Sequence, residues 1–206
     1  MATFKEMQDE VLAYGFDATV YRTRVSNWLN EAQSRIARAV EIPDLWVQTT
    51  ITTIVGTTTY TKPADLIQLK GIVDTSAAYK LRYEPDYLQL LVDTGSVPSA
   101  TGRPQEYSIA PTGIILSPVP DAVYSLIMTY YKDTTALVGD GNVSLLPLAF
   151  HDVMVSYTLQ RAYRAEDDAQ MAQFYQQQYQ QDLHTLAASE IYEVNNAPRQ
   201  VRGTWG

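Results

Sequence analysis

The sequence predicts an α+β protein. Two helical zones, residues 3–42 and 143–192, show apolar side chains recurring at steps of three and four. Between them, residues 46–133 alternate apolar with polar and are dense in threonine and tyrosine. The chain has 206 residues, 46% of them hydrophobic and 18% charged, which is a globular composition with enough length for a sizeable core. Each helical zone carries an apolar face that must be buried. Helices near 20–41, 147–165 and 167–191 are therefore expected to pack together. The expected organisation is a helical bundle from both chain ends with an inserted antiparallel β-rich domain. Residues 1–45 and 143–192 supply the helices, 46–133 the β-rich domain, and 193–206 an extended C-terminal tail.

Thr3 followed by Glu6 forms a capping-box pattern, and Gly15 suits the stop of this first helix. A longer helix runs from about Tyr21 to Glu41, with Val25, Trp28, Leu29, Ala32, Ile36, Ala39 and Val40 as its apolar stripe. Pro43 ends it, because the residue before proline is driven out of the helical region. Arg22, Arg24, Arg35 and Arg38 lie on this helix. A solvated face with local ion pairs is the default reading, and a contact surface for an acidic partner the sharper one.

From Val47 to Val55 the alternation places Val47, Ile51 and Val55 on one face and Gln48, Thr50 and Thr52 on the other. Eight threonines between Thr49 and Thr61 favour strand through their branched Cβ. Gly56 is expected to turn a hairpin whose return arm is Thr57 to Thr61. Lys62-Pro63-Ala64-Asp65 breaks that arm. Leu66 to Val73 is expected to be a strand with Ile67, Leu69 and Val73 on one face, and Tyr79 to Tyr83 a fourth strand. Residues 85–93 suit a short helix and 94–104 a loop. Glu106–Ala110 and Ile114–Ser117 read as a hairpin around Pro111-Thr112-Gly113. The last strand, Val123 to Tyr131, is apolar on both faces and belongs in the middle of a sheet.

Pro147 suits a first helical turn, and Leu148 to Ala165 is apolar nearly all round, so it is expected to be the most buried helix. Glu166-Asp167-Asp168 opens a further helix where acids suit the dipole. Its seam is Ala172, Tyr175, Tyr179, Leu183 and Leu186. Its other faces are glutamine at 170, 173, 176, 177, 178, 180 and 181, polar yet nearly uncharged. That face suits either solvent or a neighbouring subunit, with Gln173, Gln176, Gln177 and Gln180 as candidate interface residues. Residues 193–206 have no periodicity, but carry Arg199, Val201, Arg202 and Trp205.

Chemistry-bearing patterns are missing. There is no cysteine, which removes disulfides, thiolate metal sites and cysteine nucleophiles together. His151 and His184 each fall on a helix without a second ligand at helical spacing. No GxSxG elbow, phosphate loop or dinucleotide fingerprint occurs. No cofactor, metal or enzymatic activity is expected. A net charge of −8 argues against nucleic-acid binding by bulk charge, and no apolar run suits a membrane span or a signal peptide. Fifteen tyrosines stand against four phenylalanines. Tyr83, Tyr87, Tyr107, Tyr124, Tyr130 and Tyr131 cluster in the β zone, where core packing is expected, and a carbohydrate-binding or adhesin module is the alternative. A hydrolase with carboxylates distant in the chain is a third class, for which nothing in the pattern speaks.

The order of parts is itself informative. Trp28-Leu29-Asn30-Glu31-Ala32-Gln33 lies in the long helix that ends at Leu45-Trp46. A threonine-rich hairpin follows, then Tyr60-Thr61-Lys62-Pro63-Ala64-Asp65-Leu66. Gly102-Arg103-Pro104-Gln105-Glu106-Tyr107-Ser108 and Leu116-Ser117-Pro118-Val119-Pro120-Asp121 come next, and a strand ending in Tyr130-Tyr131 leads into the buried helix. Over residues 3–190 this resembles the head-to-tail adaptor (connector, tail tubular) proteins of tailed bacteriophages.

The resemblance implies a structural virion protein, not an enzyme. About twelve copies would form a ring homo-oligomer under the phage portal protein, continuing the DNA channel toward a downstream tail or nozzle protein. DNA would pass without specific binding, which suits an acidic wall. Such a chain is expected at the head-tail junction of the virion, made in the host cytoplasm, with no membrane contact. The expected portal anchor is the C-terminal tail, with Trp205 in an apolar pocket and Arg199 and Arg202 facing acidic portal residues.

Overall fold

The computed structural model describes residues 2–90 and 100–196. It is a mixed α+β structure that divides into two compact units, Met1–Leu45 with Asp133–Gly206, and Trp46–Lys132.

The first unit holds the long helices. Helix α1, Phe4–Leu12, starts at the expected capping box: Thr3 Oγ1 accepts from the Glu6 N–H at 3.2 Å, and Glu6 Oε2 accepts from the Thr3 N–H at 2.7 Å. Gly15 follows it at φ 101°, a conformation that only glycine adopts without strain. Helix α2, Ala18–Ala39, starts at Asp17, whose carboxylate accepts from the Thr19 N–H, three residues earlier than the apolar spacing suggested. Val25, Leu29, Ala32, Ile36 and Val40 are buried as expected, and Trp28 is half-buried. Ala39 is exposed, and Ala37 is buried in its stead, because the helix ends at Ala39 and Val40 is already extended.

Two amides on α2 hold the segment that follows the second unit. Asn30 Nδ2 donates to the Leu137 carbonyl at 3.0 Å, and Asn30 Oδ1 accepts from the Leu137 N–H at 2.7 Å. Gln33, fully buried, donates to the Thr135 carbonyl at 2.7 Å and accepts from the Ser144 hydroxyl at 2.9 Å. A short 3-10 turn, Leu148–Phe150, leads into α3, His151–Ala165, in which ten side chains are buried. Asp167 then takes φ 60°, which breaks the axis, and Asp168 Oδ1 accepts from the Met171 N–H to start α4, Ala169–Asn196. The expected acidic helix start is thus carried by Asp168 alone. Helix α1 packs on α2 and α3, α2 on α3, and α3 on α4.

The second unit is built of short strands. One sheet comprises β1 (Trp46–Thr52), β3 (Leu66–Asp74), β4 (Tyr79–Lys80) and β10 (Ser125–Lys132), in the order β1-β10-β3-β4. Strand β10 lies inside it, as its two-sided apolar pattern required. A second sheet comprises β2 (Thr59–Tyr60), β5 (Arg82–Tyr83), β7 (Glu106–Ala110) and β8 (Gly113–Ser117), in the order β2-β8-β7-β5. The expected β7–β8 hairpin forms. Strands β6 (Thr101–Gly102) and β9 (Val119–Pro120) make a small parallel pair, and β5 pairs with β7 in parallel as well. Ile51, Ile72, Leu81, Tyr107, Leu116, Leu126 and Met128 are among the residues of the shared core.

Four strand expectations are corrected. The Thr57–Thr61 arm does not return along β1: β1 pairs with β10, and β2 pairs with β8. Strand β1 ends at Thr52, so Ile54 and Val55 are exposed, and Thr53 turns inward to bond the backbone of Ala122 and Tyr124. Strand β3 does not keep Ile67, Leu69 and Val73 on one face. Its register against β10 shifts twice, skipping Lys70 and Ile67, so that Leu66, Leu69 and Ile72 pack against the core. A bulge inserts one residue and therefore inverts the alternation beyond it. Finally, Tyr79–Tyr83 is two strands in two sheets, divided at the buried Leu81. Of the short helix expected over 85–93, residues 87–90 are helical, 85 and 86 precede it without helical backbone, and 91–93 lie outside the described residues.

Candidate interaction surfaces

No helix of the described residues is long and apolar enough to cross a membrane, and no cluster of three or more His, Asp or Glu among them is placed to hold a metal ion. The surfaces that remain are polar ones. On α2, three of the four arginines are engaged: Arg22 with Asp9 at 2.8 Å, Arg35 with Glu31 at 2.9 Å and Arg38 with Asp133 at 2.6 Å. Arg24 lies over the Tyr21 ring. This is the solvated, locally paired face of the default reading. Each exposed pair is worth less than about 1 kcal/mol, so the face offers charge more than stability.

On α4, Ala172 and Tyr175 are buried, while Tyr179, Leu183 and Leu186 are half-buried, so the seam lies where the spacing put it. Gln173, Gln177 and Gln180 are exposed. Gln176 is half-buried and accepts from Gln160 Nε2 on α3 at 3.4 Å, so part of its amide is turned inward. Phe174, 55% exposed, stands among these glutamines, held edge-on to Tyr175. Beside this face, Arg35, Arg161 and Arg164 with Tyr157, Tyr179 and Gln180 line a cleft of about 240 Å³. Burial, together with the nearby Glu31 carboxylate, pushes the Tyr157 hydroxyl up to about 12. Burial also acts to raise Glu31, but the Tyr157 hydroxyl, Arg161 and Arg35 outweigh it and hold that carboxyl low. Glu31 is therefore the charged hub that orients both arginines.

His151 is buried, and neither ring nitrogen has a partner in hydrogen-bonding geometry. Burial pushes its pKa down, an effect the backbone at Leu146 offsets only in part. The ring therefore stays neutral, in line with a packed helix histidine. His184 is exposed on α4. The tail residues Arg199, Val201, Arg202 and Trp205 lie outside the described residues.

In the second unit Tyr107, Tyr130 and Tyr131 are buried, and Tyr87 and Tyr124 are half-buried. Tyr83, at 50% exposure, is the open one of the six tyrosines singled out in the β zone. A sugar platform needs several open rings on one face, and this arrangement does not provide it. Tyr124 instead stacks under the Arg103 guanidinium. Arg103 grips the fully buried Asp74 through two bonds, Nε to Oδ2 at 2.6 Å and a terminal nitrogen to Oδ1 at 3.0 Å.

Sequence reasoning missed two features. One is Phe174, which falls off the helical seam and is visible only as an aromatic among glutamines. The other is a basic groove lined by Lys62, Lys70, Lys80 and Arg82, of about 790 Å³. A charge count by zone points to it. Residues 46–132 hold six basic and seven acidic side chains, whereas the rest of the chain holds nine and sixteen. The net acidity therefore belongs almost wholly to the helical unit.

No curated protein matches the chain. A family model described as SU10 adaptor protein matches residues 2–202, which include both compact units almost entirely. The resemblance carried by the order of motifs and this match agree, and the chain belongs to the SU10 adaptor protein family, a family of phage head-to-tail adaptors.

Proposed function

We propose that this chain is a structural virion protein that assembles as a ring, of about twelve copies, between portal and tail, and lets DNA pass through its channel. The observation that carries the proposal is the family match across residues 2–202. In the proposed architecture the two chain ends, residues 1–45 and 143–192, form one helical bundle and 46–133 is a domain inserted into it. The contacts of α2 with α3 and of α3 with α4 support this. The glutamine face of α4 contributes to the contact between neighbouring copies: Gln173, Gln177 and Gln180 are exposed, uncharged and able to donate and accept at once. Phe174 supplies the apolar anchor that such a polar face otherwise lacks. A ring that holds against packaged DNA needs far more than the roughly 1,600 Å² of an ordinary specific interface.

The portal anchor in this proposal is residues 195–206, with Trp205 inserted in an apolar pocket and Arg199 and Arg202 toward acidic portal groups. Val201 lines the same contact. Truncation after Asn196 is expected to leave the melting temperature unchanged and to abolish incorporation beneath the portal. Trp205→Ala should weaken docking more than either arginine change. Electron microscopy of virions tests the whole reading. A ring of this chain at the portal is expected, and a reconstruction that places the chain outside any ring overturns it. Normal incorporation of the truncated chain would move the anchor to the arginine face of α2.

A further inference from the structure

We propose that the open edge of β3, from Leu66 to Gly71, is a docking groove for an extended acidic peptide segment of a partner chain, which adds to the sheet as a strand. The reason lies in how the neighbouring chain crosses between sheets. Strand β4 covers only Val73 and Asp74 of β3, and Leu81 donates to the Ile72 carbonyl. The chain then leaves for the other sheet, where Arg82 and Tyr83 pair with Glu106 and Tyr107. Six residues of β3, about 20 Å of strand at 3.4 Å per residue, have no strand partner on that side among the described residues. An open edge is a template for strand addition, although the bulges at Ile67 and Lys70 break this one into shorter runs.

The groove beside this edge has about 790 Å³ of space and a mixed lining. Leu66, Ile67, Leu69, Tyr83 and Ile109 are among its apolar lining. Ile67 and Tyr83 are exposed, and Leu66, Leu69 and Ile109 are half-buried, so alternate side chains of an incoming strand would meet apolar surface. The charged lining is cationic. Lys62, Lys70 and Lys80 make no ion pair with any described residue. Lys70 sits 4.6 Å from the centre of the Trp46 ring, and Lys80 lies across Gly71 so closely that a Cβ there would meet its Cε at 2.5 Å. The fourth cation, Arg82, is held by Glu106.

Lysines on an edge strand also guard against self-pairing, because two such edges repel. The same charges admit an acidic strand, and that asymmetry selects the occupant. Nucleic acid fits less well. The unit as a whole has seven acidic side chains against six basic, and a strand edge offers backbone hydrogen bonds that a phosphate chain cannot reciprocate in register. The proposal does not depend on ring formation, and the test below uses the free full-length chain.

The test is fluorescence anisotropy with a labelled peptide of alternating glutamate and valine about ten residues long, a length that matches an ordinary strand. One control is the same peptide with alternate backbone amides methylated, which keeps its charge but cannot pair. The other is a poly-thymidine oligonucleotide. Saturable binding of the first peptide is expected, with loss of binding on amide methylation. The double reversal Lys62→Glu/Lys80→Glu should weaken it about tenfold or more, since both charges face the ligand. The methylated peptide tests the backbone pairing with no change to the protein itself. Failure of the peptide to bind would show the lysines to be edge guards alone and overturn the proposal. Equal binding of the methylated peptide, or tighter binding of the oligonucleotide, would overturn it too.

Discussion

Arg103→Ala isolates the buried ion pair of the β-rich unit. Asp74 is wholly inaccessible, and besides Arg103 it accepts from the Ser76 and Ala77 N–H groups at 2.9 and 3.1 Å. Removing one member of a buried pair costs about 3–5 kcal/mol when the other charge is left stranded. Here the Arg103 side chain is 35% exposed, so water reaches part of the vacated space, and the two backbone donors remain. A loss of about 2 kcal/mol is the resulting expectation. For a unit of this size, 1 kcal/mol moves a transition by roughly 4–8 °C, so its melting should drop by roughly 8–16 °C. Trp46 lies in this unit, and its fluorescence in a Trp28→Phe/Trp205→Phe background reports the transition directly. Asp74→Ala/Arg103→Ala together should cost less than the two single losses added, by about 1–2 kcal/mol of coupling. The pH dependence follows from the same contact. The Arg103 hydrogen bonds, against the opposing effect of burial, hold the Asp74 carboxyl below its ordinary 3.8. The contribution of the pair is thus complete above that value and fades as pH falls through the lowered one, and Arg103→Ala should shrink this acid loss. A cost below about 0.5 kcal/mol, or strict additivity of the two changes, would show the pair to be solvated and refute the reasoning.

His151 is buried neutral with a lowered pKa, so its protonation favours the unfolded chain; stability of the helical unit should fall as pH drops below about 6.5. His151→Leu should flatten that fall, as read by urea midpoints across the range, and an unchanged pH slope would count against it. Gln33→Leu strips the Thr135 carbonyl of its amide donor and the Ser144 hydroxyl of its acceptor, and should cost about 1–3 kcal/mol in urea unfolding, despite the gain in side-chain hydrophobicity. Thr3→Ala removes the capping box of α1 and should cost about 1 kcal/mol, whereas Thr3→Ser should cost little; equal losses would point to the methyl group and not the hydroxyl.

Whatever depends on a few neighbouring residues was legible in the sequence. The Thr3–Glu6 cap, the apolar stripe from Val25 to Val40, the β7–β8 hairpin around Gly113 and the buried helix after Pro147 all follow from local spacing and local hydrogen bonds. So did the family, because the order of such motifs is a property of the chain alone. What the sequence could not carry is the choice of partner over distance. The threonine arm after Gly56 has the composition of a strand whether it lies on β1 or on β8, and only the fold sends it to β8. The alternation in β3 cannot announce where a skipped residue inverts it, since a bulge is fixed by the register of β10 across the sheet. Gln33 reads as a polar gap in an apolar stripe until the segment at 135–144 supplies partners for both ends of its amide. The basic groove has the same origin. Lys62, Lys70, Lys80 and Arg82 are scattered along twenty-one residues of sequence, and the crossing at Leu81 between two sheets brings them to one strand edge. Local rules act through contacts a turn or two away, and pairing is decided by burial of surface that distant segments share.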